Sequence, residues 1–203
     1  MEDFDTLLKR SAEHHGHLCA GQVIGVRMAM LGCRLIGIED PQKDIKKLIV
    51  YTEIDRCASD AIGSVTGCKL GRRSLKFTDY GIMAATFLNL ETGQAVRVCS
   101  TESSRELAKK YAPQIKDTRK QQLHAYRVMP LSELFTVQDV KVNLSELDMP
   151  GPTQAKAVCE ICGATVRDGQ EVIIEGRIHC RPCAGDSYYV PLKTRVVEDD
   201  SLN

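Results

Sequence analysis

The sequence predicts an α+β fold carrying a small cysteine-stapled module at its C-terminal end. Three observations predict it. Apolar residues recur at three- and four-residue steps in the first third of the chain, the period of a half-buried helix. Compact apolar runs follow, two of them joined by a glycine-containing turn, as strands of an antiparallel hairpin require. Two C-x2-C pairs then stand in the last quarter of the chain. With 203 residues, 43% of them apolar, there is material for one sizeable core and one appendage.

The elements follow in order. FDTLLKRSAEHH places Phe4, Leu7 and Leu8 on one helical face. GQVIGVRMAMLGCRL predicts a second helix from about residue 21 to 33, with Val23, Ile24, Met28 and Leu31 inward. Its glycines, Gly21, Gly25 and Gly32, weaken it intrinsically and permit close packing. KKLIVYTEI is a buried strand, and DRCASDAIGSVTG turns it into a short helix from about residue 59 to 65. SLKFTDYG is a short strand. IMAATFLNL and AVRVCS form a hairpin through Glu91 to Gln94. TESSRELAKKYAP starts a helix with Ser103 and Glu106 as a capping box and stops at Pro113. HAYRVMP is expected as a strand, LSELF as one helical turn, and VQDVKVN as a further strand. DMPGPTQAK has two prolines, a glycine and no period. It divides a core domain, residues 1–149, from residues 157–203, with 150–156 as linker.

The charge excludes some partners. Lys plus Arg and Asp plus Glu both number 27, so no basic surplus favours nucleic acid or an anionic membrane. A net charge of zero also leaves self-association open. The acidic start MEDFDTLLKR lacks the basic and apolar regions of a signal peptide, and no stretch is apolar over 18 residues or more. A cytoplasmic protein is expected. Its nine cysteines then point to metals or reactive thiols before disulfides.

Cys159 and Cys162, then Cys180 and Cys183, are separated by seventeen residues, the spacing of a zinc ribbon. Each pair presents two thiolates, and together they close a tetrahedral structural site. RDGQEVIIEGRIHC supplies glycine turns around a small hairpin at residues 172–174. A module this short buries too little to fold alone, and metal binding contributes the missing free energy, on the order of 10 kcal/mol. A redox dithiol is the competing reading, but the strand and helix of a thioredoxin-like site are missing around Cys159. His179 is expected on the surface or supporting a ligand.

A second cluster, HHGHLCAG at residues 14–21, gathers three of the five histidines beside Cys19. His17 and Cys19, two apart, can share an ion where the chain is extended, and His15 stands two before His17. Cys19 falls just before a helix, where free N–H groups favour a thiolate. A further ligand must come from elsewhere, and Cys57 and Cys68, each at an element end, are the candidates. A Cys/His set with one open position is the arrangement of catalytic zinc, though iron or copper would also fit. Two other readings stay open: a helix start decorated with polar histidines, and a metal-free nucleophilic cysteine assisted by histidine. Cys33 and Cys99, in apolar runs, are expected in the core. Arg72, Arg73 and Lys76 form a basic cluster that grips an anion or is solvated. Asp60, Asp79 and Tyr80 are candidates to orient a metal ligand.

HGHLCAG, EIDRCASDAIGSVTGCKLGRRSLKFTDYG and ETGQAVRV together resemble the E subunit family of formylmethanofuran dehydrogenase, over roughly residues 10–150. The ribbon continues as in some members. The resemblance implies an α+β core with a mixed sheet packed by helices, metal binding and a homodimer. On its motifs, His17, Cys19 and Cys57 take the metal-ligating positions, with Cys68 next and Asp60 beside Cys57. Zinc is the implied ion. Two motifs depart: Ala20 stands where proline is common, and GRRSL replaces G-K-x-N-L, so Arg72 keeps the charge of the lysine but not its geometry. A molybdopterin or tungstopterin oxidoreductase is the implied partner, but this chain carries no pterin or iron–sulfur pattern. Two functions follow: a zinc-binding accessory protein, with the ribbon as docking arm, or an enzyme using the open His/Cys site. Nucleic-acid binding through Arg167, Arg177 and Arg181 is opposed by Glu160, Asp168, Glu171 and Glu175.

Overall fold

Helices on one face of a mixed five-stranded sheet form the core of the first of two units. The computed structural model describes residues 1–194; the last residues of the expected C-terminal domain lie outside that range. Helix α1, Phe4–His15, is capped by the Asp3 carboxylate, which accepts from the Thr6 N–H at 3.0 Å. It ends where Gly16 turns left-handed at φ 92°. Helix α2, Ala20–Leu35, is buried over most of its surface. Strand β1, Leu48–Thr52, leads into helix α3, Cys57–Thr66. Strands β2, Leu75–Phe77, β3, Ala84–Asn89, and β4, Ala95–Ser100, follow. Helices α4, Ser103–Tyr111, α5, Thr118–Val128, and α6, Leu131–Leu134, precede strand β5, Phe135–Asp139.

The strand order is β2-β1-β3-β4-β5. Only β1 and β2 are parallel, in the register Val50↔Leu75; the other pairs are antiparallel. Alternation decides the two faces. Val50, Ala85, Phe87, Val96 and Val98 face α2 and its Val23, Val26 and Met28. Ile49, Leu88 and Ala95 face the other way, where Val140, Val142 and Leu144 cover them. The closest helix contacts are made possible by missing side chains. A Cβ on Gly25 would stand 2.5 Å from the Ala58 carbonyl oxygen, and one on Gly32 would enter the Phe87 ring.

Three expectations are corrected. The stretch HAYRVMP is the second half of α5, not a strand. Asp117 caps that helix by accepting from the Lys120 N–H at 2.8 Å, and Ala125, Tyr126 and Met129 are buried at helical steps. The Ala125–Tyr126–Val128 run mimics a strand only when the polar first half is ignored. Helix α4 has no capping box: Glu102 occupies the cap position without a side-chain bond, and Ser104, not Ser103, turns inward to donate to the Thr101 carbonyl at 2.6 Å. Cys33 is fully buried, but Cys99 is only half-buried, because it sits on the sheet face away from α2.

The second unit contains residues Glu146–Asp148 and those from Pro152 onward. It holds two hairpins, β6, Lys156–Val158, with β7, Thr165–Arg167, and β8, Val172–Ile174, with β9, Arg177–His179. Asp168 ties part of the expected linker to this unit, accepting from Gln154 N–H at 2.8 Å and Ala155 N–H at 3.2 Å. Among the described residues, no helix is long and apolar enough to cross a membrane.

Candidate metal centres

The first centre forms where α1 ends and α2 and α3 begin. After a bend at Gly16 and His17, the chain reaches Cys19, extended at φ −143° and ψ 169°, which is the N-cap of α2. One ligand atom from each of His15, His17 and Cys19 falls within 4.8 Å of the others. The two imidazole rings lie 4.7 Å apart. His15 is the informative member. Its Nδ1 is 2.8 Å from Asp60 Oδ2, so the carboxylate accepts from Nδ1–H, and in the neutral imidazole the lone pair is then on Nε2. That Nε2 is buried and, among the described residues, has no hydrogen-bond partner. A buried polar atom without a partner is costly, and a carboxylate–histidine pair with a free second nitrogen is the arrangement of a metal-ligating imidazole. The donor set fits a transition ion of borderline softness.

Cys57 joins this corner from α3, of which it is the first residue. Burial pushes its thiol up, and the Cys19 thiol beside it pushes in the same direction. The absence of a side chain on Gly21 permits the approach: a Cβ there would stand 2.9 Å from Cys57 Cβ and 3.7 Å from Cys19 Sγ. Cys19, as N-cap of α2, and Cys57, as first residue of α3, thus both stand at helix N-termini. Cys57 lies beside the group of His15, His17 and Cys19, outside the set whose atoms are all within 4.8 Å.

Other sequence candidates are placed elsewhere. Cys68 follows the C-terminal end of α3, so a ten-residue helix, about 15 Å long, separates it from Cys57. Its thiol is buried, faces the Leu48 carbonyl at 3.8 Å and is pushed up by that burial. Arg72 and Arg73 also follow that end of α3 along the chain, Arg72 exposed and Arg73 in the left-handed region at φ 58°. Tyr80 is 65% exposed, and its N–H donates to the Glu53 carbonyl at 3.2 Å. In the sequence only its spacing from His17 points to His15, which is not among the expected ligands, because Asp60 is distant along the chain.

The second centre is the four-cysteine cluster, whose sulfurs are all within 4.8 Å of one another. Cys162 and Cys180 are 3.7 Å apart. A tetrahedral zinc with Zn–S of about 2.3 Å holds its sulfurs about 3.8 Å apart, so the spacing fits. The first knuckle is closed by Gly163, at φ 74°, whose N–H donates to the Cys159 carbonyl at 2.9 Å. Backbone N–H groups of Cys162 and Cys180 draw the Cys159 thiol down to about 6. The neighbouring thiols Cys180 and Cys162 push Cys183 up to about 12. Four crowded sulfurs cannot all ionise without a cation among them. His179 is buried rather than on the surface, with Nδ1 3.1 Å from the Arg177 carbonyl.

Comparison with known proteins agrees with this architecture. A crystal structure of a tungsten formylmethanofuran dehydrogenase FmdE-like protein from Syntrophus aciditrophicus superposes with a TM-score of 0.61 at 17% identity. The match covers 93% of this chain and 96% of that one. A probable S-adenosyl-L-methionine-binding protein of Archaeoglobus fulgidus is 27% identical over 96% of this chain, which spans 56% of that relative's length. The family model for FmdE, molybdenum formylmethanofuran dehydrogenase operon, matches residues 14–136. That match begins at the histidine cluster, takes in both helix N-termini and covers more than half of the chain, which therefore belongs to the FmdE family.

Proposed function

We propose that this chain is a zinc-binding accessory protein, with one ion held by His15, His17, Cys19 and Cys57 and a structural ion held by the ribbon. It self-associates as a homodimer and works alongside a molybdopterin or tungstopterin oxidoreductase. The observation that carries the metal reading is His15, with one nitrogen held by Asp60 and the other buried without a partner among the described residues. Membership of the FmdE family supports the partner. Elemental analysis of the intact protein tests it: two zinc per chain, falling to one in Cys19→Ser and to one in Cys162→Ser. Zinc unchanged in Cys19→Ser would reject the core site.

A second reading, an enzyme using the core site, is favoured by the exposure of His17, which leaves one side of the cluster open to solvent. A bound ion there supplies Lewis acidity or a more acidic water; the chain itself supplies Asp60 to hold the imidazole. S-adenosylmethionine is the first small molecule to test, since the Archaeoglobus relative is described as binding it.

A further inference from the structure

Gln22 is a long amide buried completely in the first turn of α2, among Val23, Ile24 and Gly25. A buried amide is tolerated only when both its ends are satisfied, and here the partners come from two other helices. Its Nε2 donates to the carbonyl of Cys57, on α3, at 2.6 Å. Its Oε1 accepts from the hydroxyl of Ser11, on α1, itself 1% exposed. Each end of this chain of bonds stands next to a ligand. Ser11 is four residues before His15, one helical turn away on the same face. Gln22 is three residues after Cys19. The third partner is Cys57 itself.

We propose that Gln22 is a positioning residue: the buried Ser11–Gln22–Cys57 connection fixes α3 against α1 and α2 so that the Cys57 sulfur joins His15, His17 and Cys19 on one ion. The proposal rests on the core metal reading above. The alternative, that Gln22 merely fills a polar gap, predicts a loss of stability without a change in the ligand set. The Gly21 contact brings the first turns of α2 and α3 together, but contact between smooth surfaces allows one helix to slide along the other. A directed bond to the Cys57 carbonyl does not.

Cadmium-113 NMR of the intact chain tests this, because the shift reports how many sulfurs hold each ion and the two centres give separate resonances. The wild type should show a four-sulfur resonance and a core resonance from a mixed sulfur and nitrogen set. In Gln22→Met the ribbon resonance should stay, and the core resonance should move to the position seen in Cys57→Ser. Cadmium affinity of the core should fall about 10- to 100-fold, the range for lost outer contacts. Ser11→Ala, which keeps the Cys57 bond but frees the amide, should move the core the same way by less, and serves if Gln22→Met fails to fold. A core resonance and affinity unchanged in both variants would overturn the positioning role and leave the metal site standing. A wild-type core without a resonance would remove the metal site and, with it, this role.

Discussion

At the scale of single residues, the core centre depends on a contact between positions far apart along the chain. Asp60 does not reach the cluster as a ligand; it holds Nδ1 of His15, so the imidazole offers Nε2 in a fixed direction. Asp60→Asn therefore keeps the volume and loses the charge. Core-site affinity for zinc should fall about 10- to 100-fold in competition with a chromophoric chelator, while ribbon zinc is unaffected. Equal core affinity in the two proteins would show that Asp60 is only a surface partner. The thiols are read from their surroundings in the same way. Cys33 is pushed up to about 12 by burial and then by Cys68, so it is protonated at neutral pH and packs as an apolar side chain. Cys33 and the equally buried Cys68 differ from Cys19 and Cys57 in place, not in kind. Nothing in the spacing of nine cysteines ranks Cys57 above Cys68 as a ligand; the length of α3 does.

At the scale of elements, the approach of α2 to α3 decides whether the two N-terminal thiols meet. Gly25 sits over Ala58 and Ala61, where a methyl group would stand 2.5 Å from a backbone oxygen. That oxygen is part of a helix and cannot yield as a flexible side chain would. Gly25→Ala should therefore destabilise the first unit by about 3 kcal/mol, at the upper end of overpacking costs, despite the better helix propensity of alanine. Denaturant unfolding monitored on the intact chain measures it, and a neutral or stabilising effect would mean that the helices are free to separate. Elements with local signals were legible: the hairpin turn at Gly93, the α2 period, the αL stop at Gly67. Helix α5 was not, since its polar first half carries no apolar period and only the Asp117 cap marks its start. The α4 start misled for the opposite reason. A sequence that fits a capping box was present, but Ser104 is drawn inward to Thr101, and the box does not form.

At the scale of the whole molecule, the two units hold their structure by different means. The first has a continuous apolar cluster from α1 through the sheet to α6. The second has short, three-residue strands and, among the described residues, Cys159 as its one buried apolar side chain. Its fold should follow its metal. Stripping zinc with a strong chelator should abolish amide-exchange protection across residues 156–183 while the amides of β1, β3 and β4 stay protected. Hairpins that remain protected in metal-free protein would show that packing alone suffices.

The sequence by itself determined the ribbon, the cluster around HGHLCAG and the α+β class, because these depend on residues near one another or on periodicity along one element. Only the tertiary structure decided that β2 runs parallel to β1 at the sheet edge, that His15 is fixed by Asp60, and that the whole of α3 separates Cys68 from Cys57. The last two depend on how closely two helices approach and on which end of a helix faces the site. Both are set by long-range packing of glycine and alanine surfaces, and the glycines of one helix do not name the surface that they meet.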